Sequence, residues 1–206
     1  LDIFEVTEIF YSSKENIHLQ SFEETTSTNT LAKNLPPYSG LTVLLARTQT
    51  QGRGQFNRLW SNALNPSGQL LVTYAQYFPL APQPHLTMAI GIALHKSLTQ
   101  IWPQLDLKLK LPNDLYKKEK KCAGLLLETL SLGTQYHLII GLGLNVTSYP
   151  VEVATSGALF DHASNLTPSQ WIQFLEIWET QRAKSIRDSW QALTLDDNLY
   201  LERYRI

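Results

Sequence analysis

"KCAGLLLETLSLGTQYHLIIGLGLNV", residues 121–146, sets two apolar runs on either side of Ser131-Leu132-Gly133-Thr134. Apolar runs of this length, separated by a short glycine-bearing stretch, predict two antiparallel strands joined by a hairpin turn. A hairpin inside a chain that otherwise interleaves strands with helices argues against a simple doubly wound parallel sheet. The expected class is α+β (mixed α/β), a mixed β-sheet with packed helices. The same stretch disposes of a tempting alternative. Gly141-Leu142-Gly143 begins like the glycine fingerprint of dinucleotide-binding folds, but Val146 holds the third glycine position. That segment also lies within a strand rather than opening a helix, so the fingerprint reading fails.

Moving outward toward the N-terminus, "DLKLKL" (106–111) alternates and reads as a strand. Leu86, Ala89, Ile90, Ala93, Leu94 and Ile101 recur at three- and four-residue spacing, which predicts a helix over roughly 85–101. "QLLVTYAQY" (69–77) reads as a strand entered from the turn "NPSG" (65–68). "LTVLLA" (41–46) lacks alternation, as in a strand buried on both faces. "STNTLAKNL" (27–35) reads as a short helix capped by Ser27 or Thr28 and stopped by Pro36 and Pro37; "IHLQSFEE" (17–24) reads as a strand. On the C-terminal side a long helix begins at about 168. Thr167 caps it, Pro168 takes its first position and Gln170 completes a capping box. Trp171, Leu175, Trp178, Ile186 and Trp190 lie on its apolar side and read as core rather than ligand contacts.

Composition narrows the function classes. A chain of 206 residues suits a single domain, 1–206, with a sizeable core. Its formal charge is −1, without the basic excess of a free-standing DNA-binding protein, and "KKEKK" (117–121) reads as a solvated turn. Cys122 is the only cysteine, so there is no internal disulfide framework, and a reducing, cytoplasmic setting fits. The residue itself reads as a small apolar member of its strand. No run approaches the roughly 18 apolar residues of a membrane span, and the first ten residues do not read as a signal peptide. His18, His85, His95, His137 and His162 show no ligand spacing, and neither a Walker lysine pattern nor a G-x-S-x-G elbow occurs.

Three segments carry candidate chemistry. In "RTQTQGRGQFNRLW" (47–60), Gly52 and Gly54 flank Arg53. Paired glycines let backbone N–H groups approach an anion, Arg53 is a permanently charged fork, and Trp60 could stack on a base. A glycine turn with a solvated arginine and a core tryptophan explains the same residues equally well. In "KLKLPNDLY" (108–116), Lys110 ends a strand and Pro112-Asn113-Asp114 is a turn signal. It is either an ordinary turn or a strand end whose amide and carboxylate hold a nucleotide or its Mg2+. In "KKCAGLLLE" (120–128), Lys121 precedes a strand in which Gly124 removes a side chain, as where something passes close to the backbone.

The order of these segments is more specific than any one of them. "TTSTNTLA" (25–32), "QTQGRGQFNRLW" (49–60), "KLPNDLY" (110–116), "KKCAGLLLE" (120–128) and "IIGLGLNV" (139–146) together resemble the catalytic domain of the biotin–protein ligases, over about residues 17–150. The agreement is looser through "ATSGAL" (154–159) and the final helix. The resemblance implies a class II aminoacyl-tRNA synthetase/biotin–protein ligase-like catalytic fold. It implies biotin activation by ATP and Mg2+ to biotinyl-5'-AMP, then transfer to a lysine of a biotin carboxyl carrier protein. By resemblance, Arg53 and Lys121 are catalytic. Ser27, Thr28, Gln49, Gly52, Arg53, Lys121 and Gly124 bind biotin. Arg53, Gln55, Trp60, Asn113, Lys121 and Asn145 bind ATP or the adenylate, and Asp114 is a candidate metal ligand.

Departures from the family pattern matter too. Gln55 stands where many members have a second arginine, Phe56-Asn57 replaces a more basic, glycine-containing run, and Leu111 stands where the family usually has tryptophan. The chain is expected to lack both the N-terminal DNA-binding domain and the small C-terminal β-barrel of many members, and a homodimer is compatible with the reading. Two alternatives stay open: a lipoyl or octanoyl ligase or transferase, and a non-catalytic biotin or adenylate sensor.

Overall fold

In the computed structural model of the chain, residues 1–162, 165–189 and 193–206 are described. Seven strands form one sheet: β1 (Ile17–Thr25), β2 (Leu41–Gln49), β3 (Gln69–Phe78), β4 (Leu107–Lys110), β5 (Asp114–Lys117), β6 (Lys120–Leu132) and β7 (Gln135–Asn145), in the order β1-β2-β3-β7-β6-β5-β4. Only β1 and β2 pair in parallel; every other neighbour is antiparallel. Among the described residues five α-helices pack on this sheet: α1 (Ile3–Ser12), α2 (Thr28–Lys33), α3 (Leu86–Ile101), α4 (Pro168–Asp188) and α5 (Leu195–Tyr204).

The β6–β7 hairpin forms as its sequence predicts, with Gly133 at φ 65° in the turn. Cys122 is a buried core residue whose thiol burial pushes up to about 12, so it has no thiolate character at neutral pH. Thr167 and Gln170 make the expected capping box, and Ser27, rather than Thr28, caps α2. Trp171 and Trp178 are fully buried; Trp190 lies outside the described residues. β2 runs on to Gln49, beyond the apolar run that announced it.

Three elements were not read from the sequence. Helix α1 is short, capped by Asp2, whose side chain accepts from Glu5 N, and it buries Ile3, Phe4, Phe10 and Tyr11. Strand β5 hides between two turn signals, and α5 carries mostly polar residues with only Leu201 buried.

The sheet is covered unequally. The large core lies between one face and helices α1, α3 and α4, and draws Val43, Leu45, Leu70, Val72, Tyr74, Ile140, Leu142 and Leu144 from the strands. On the other face, among the described residues, a small apolar cluster joins Ala32 of α2 to Leu44, Ala75 and Ile139 of the sheet. Leu44 against Val43 and Leu45 confirms that β2 is buried on both sides. The period of two along β7 therefore sends Ile140, Leu142 and Leu144 into the large core, and Gly141, Gly143 and Asn145 to the opposite face. Beyond α2, Trp60 lies over Gly143 on that face.

Candidate active site

Three glycines leave a stretch of this face without side chains of its own. Gly124 and Gly143 are direct cross-strand partners on β6 and β7, and Gly141 follows two residues along. A Cβ at Gly143 would overlap the Trp60 indole, and one at Gly141 would overlap the Asn29 carboxamide. At Gly124 a Cβ would sit 2.9 Å from Trp60 Cζ3 and 3.1 Å from Lys121 Nζ. The space that Gly124 vacates is thus occupied by these two side chains, and Trp60 lies along the sheet instead of standing off it.

The glycine loop is a small hairpin set over this stretch. Gly54 N donates to Arg58 O (2.7 Å) and Trp60 N to Gly52 O (2.9 Å). Gly52 is required there, because a Cβ would stand 2.5 Å from Trp60 O. The Asn62 side chain bonds Gln49 N and O, both at 3.0 Å, closing the base of the loop. Phe56 at the tip has φ 55° and is exposed.

One wall is neutral and polar. Thr28 donates its N–H to Gln49 Oε1 (2.8 Å), and Thr73 Oγ1 lies 2.7 Å from both Thr28 Oγ1 and Asn29 Oδ1. All four residues are buried, so these hydrogen bonds fix the wall before any ligand arrives. Charged groups complete the lining. Lys121 Nζ stands 2.7 Å from Asp114 Oδ1, an ion pair not aligned as a hydrogen bond, and 5.5 Å from the centre of the Trp60 ring. Arg53 reaches Glu128 Oε1 at 3.3 Å.

These groups enclose a cavity of about 460 Å³, solvent at its mouth included, lined by Ser27, Thr28, Gln49, Arg53, Gln55, Trp60, Asn113, Lys121 and Gly124 among others. A larger recess of about 1160 Å³ adjoins it and shares Gly54, Gln55, Trp60, Asn113 and Lys121. Its further lining includes Leu111, Asp114, Asn145 and Ser156. Of the residues singled out from sequence, all but Gly52 line one or both spaces; Gly52 shapes the loop from behind. Arg53 and Lys121, the two cations, share the smaller cavity.

Geometry refines several roles. Asn145 donates to Ser156 Oγ (3.0 Å) and Gly157 O (3.1 Å) and accepts from Gln69 Nε2 (2.9 Å), so its amide is committed to holding the 155–157 segment. Asn113 Nδ2 donates to Leu125 O at 2.8 Å and ties its turn to β6. Asp114, the candidate metal ligand, is occupied by Lys121. Among the described residues no group of three His, Cys, Asp or Glu side chains could hold a metal ion. The sequence reading missed Asn29, Thr73, Lys33 and Glu128 as parts of the site. Asn29 and Glu128 sit inside the quoted motifs; the one signal for Thr73 was a hydroxyl within an apolar strand.

The chain matches the model of the Biotin/lipoate A/B protein ligase family over residues 21–145, more than half its length, and belongs to that family. Within it, the biotin–[acetyl-CoA-carboxylase] ligase of Mycobacterium tuberculosis is 34% identical over 116 residues, covering 54% of this chain and 41% of that protein. The human biotin–protein ligase is 31% identical over 121 residues, covering 55% of this chain and 16% of that protein. The chain thus spans less than half the length of these two relatives. The biotin protein ligase from Aquifex aeolicus, solved in complex with biotin and ATP, superposes with a TM-score of 0.68 over 92% of this chain and 78% of that one, at 24% identity. The enzyme from Leishmania major in complex with biotinyl-5-AMP gives 0.60 over 88% and 85%, at 22% identity. At such identities the superpositions show the fold: a biotin protein ligase-like catalytic domain.

Proposed function

We propose that this chain is an ATP-dependent biotin–protein ligase, acting as one catalytic domain in the cytoplasm on a biotin carboxyl carrier protein. The observation that carries this reading is the pairing of Arg53 and Lys121 in one cavity that the neutral Ser27, Thr28 and Gln49 also line. Biotin has the matching polarity. Its ureido ring carries one acceptor and two donors, each costing about 1–3 kcal/mol if buried unpaired, and its tail ends in a carboxylate.

In the first step a biotin carboxylate oxygen attacks the α-phosphorus of ATP, and the bond to the pyrophosphate oxygen breaks. Two anions must meet, so the task of the protein is to offset their repulsion and hold them in line. That Lys121 lines both spaces supports a role for it between the carboxylate and the α-phosphate, with Arg53 adding a second charge from the loop. Neither exchanges a proton. In the second step the carrier lysine amine attacks the acyl carbon and AMP departs. The residues do not fit a metal held by the protein, since Asp114 already serves Lys121; Mg2+ would come as the counter-ion of the ATP phosphates. The glycines let Trp60 and Lys121 lie close against the sheet, which leaves the space above them for the mixed anhydride, and the loop shields it from water.

The test is one incubation with ATP, Mg2+, biotin and a biotin carrier domain, read by intact mass. Biotinylation of the carrier, abolished or greatly reduced by Lys121→Ala, is the expected result. Parallel arms with lipoate and octanoate decide between the biotin reading and its acyl relatives. Biotin binding without ATP-dependent pyrophosphate release would replace the enzyme with a sensor.

A further inference from the structure

The two cations of the site are tethered differently. Glu128 is the meeting point of three elements: its Oε1 takes Lys33 Nζ of α2 at 2.6 Å and Arg53 of the glycine loop at 3.3 Å, and its Oε2 takes Asn29 Nδ2 at 3.1 Å. Both carboxylate oxygens are therefore satisfied from α2 without any help from Arg53. If Arg53 departs, Glu128 keeps an ammonium and an amide, and no orphaned charge is left in its half-buried position. The Arg53 contact is also the longer of the two cation contacts, and its side chain is 37% exposed, the range in which an ion pair contributes little. Lys121 stands in contrast, at 2.7 Å from Asp114, for which no other cation lies within reach among the described residues.

We propose that Glu128 is a positioning residue that parks Arg53 over the cavity, and that Lys33 sets how readily Arg53 lets go. By sharing Oε1, Lys33 spends most of the negative charge of Glu128, so Arg53 is aimed but not neutralised. An incoming carboxylate or phosphate can then take the guanidinium from Glu128 at small cost. Without Lys33, Glu128 has Arg53 as its sole cation and competes with the ligand. This inference rests on the proposed ligase reading only for what the incoming anion is; the tether itself does not depend on that reading.

Two readouts test it. The first is trypsin nicking after Arg53, which requires the guanidinium to leave Glu128 for the protease, with nicking after the neighbouring Arg58 as the internal reference. Relative to Arg58, nicking at Arg53 should fall about three- to fivefold in Lys33→Met and rise by a similar factor in Glu128→Gln, as expected for an ion-pair change within the usual range for partly exposed pairs. Unaltered nicking in both variants, each shown folded by circular dichroism, overturns the proposal whether or not the protein ligates biotin. The second readout is kinetic. Lys33→Met should raise the biotin KM about three- to fivefold with little change in kcat. Lys33→Met/Glu128→Gln should return it toward the wild-type value. A double variant as impaired as Lys33→Met alone would show that Lys33 acts by another route and would overturn its assigned role. A wild type that transfers no biotin would count against the ligase reading, and the nicking result would then decide the tether by itself.

Discussion

Gly143 states the logic of the site most plainly. Its Cα hydrogen is where Trp60 lies, so Gly143→Ala forces the indole upward into the cavity. Overpacking of this kind costs about 1–3 kcal/mol. We expect weaker biotin binding, measured by calorimetry, in a protein that still folds, because the change lies on the face away from the large core. Gln55 lines both spaces and keeps hydrogen bonds but lacks the charge an arginine would bring. Gln55→Arg should slow release of biotinyl-AMP in a single-turnover chase; release at the wild-type rate would refute the electrostatic argument. These residues were readable because spacing and residue type carried them: glycines in a strand, a guanidinium between glycines. Thr73 and Lys33 were not readable, since their roles arise from what β3 and α2 meet across the sheet, which local pattern does not encode.

Asn145 shows why strands alone do not make the site. Its amide bridges the end of β7 to Gln69 of β3 and to residues 156–157. Residue 121 in turn bonds that segment through Lys121 N to Thr155 O (2.7 Å) and Gly157 N to Lys121 O (2.9 Å). Asn145→Ala should therefore destabilise by about 1–3 kcal/mol. It should also raise the ATP KM more than the biotin KM, since the segment lines the larger recess. Helix α5 is held by a different device. Buried His95 meets Leu107 O through Nε2 (3.0 Å) and the Tyr200 hydroxyl through Nδ1 (2.7 Å). The carbonyl can only accept, so Nε2 carries the proton and Nδ1 accepts from Tyr200, a neutral tautomer. Burial lowers the His95 pKa, although the Leu107 bond opposes that shift and Lys108 adds to it. His137 is shifted the same way by burial. An unfolded chain binds these protons at a higher pH than the folded one, so stability is full above about pH 6.5 and declines as pH falls below it. Thermal melts at pH 7.5 and pH 5 should show this loss, and His95→Gln should reduce the difference. Strong periodicity and caps made α3, α4 and the β6–β7 hairpin legible. α1, β5 and α5 escaped because they are short or weakly amphipathic and take their order from packing and from contacts such as His95–Tyr200.

The sheet divides the protein into a stabilising side and a working side. On the packed side, Tyr11, Tyr74, Trp178, Glu179 and Arg182 form a buried polar web: Tyr11 and Tyr74 hydroxyls at 2.8 Å, Trp178 Nε1 to Tyr74 at 2.9 Å, and Arg182 to Glu179 at 2.5 Å. Arg182 is 3% exposed. Arg182→Leu removes one partner of an ion pair and leaves Glu179 and two phenols to rearrange, which should cost about 3 kcal/mol. The expected signature is a lower melting temperature with biotin KM unchanged, because the web and the cavity lie on opposite faces. The three glycines have a consequence for the thermodynamics of occupancy. Backbone already locked into strands has no rotamers left to freeze, so Gly124, Gly141 and Gly143 give the side chains that lie on them the same seat filled or empty. The entropic penalty of ligand capture then falls on the few long side chains above them, chiefly Arg53, Lys121 and Trp60, and tightening those three is the route by which affinity could change without remodelling the sheet.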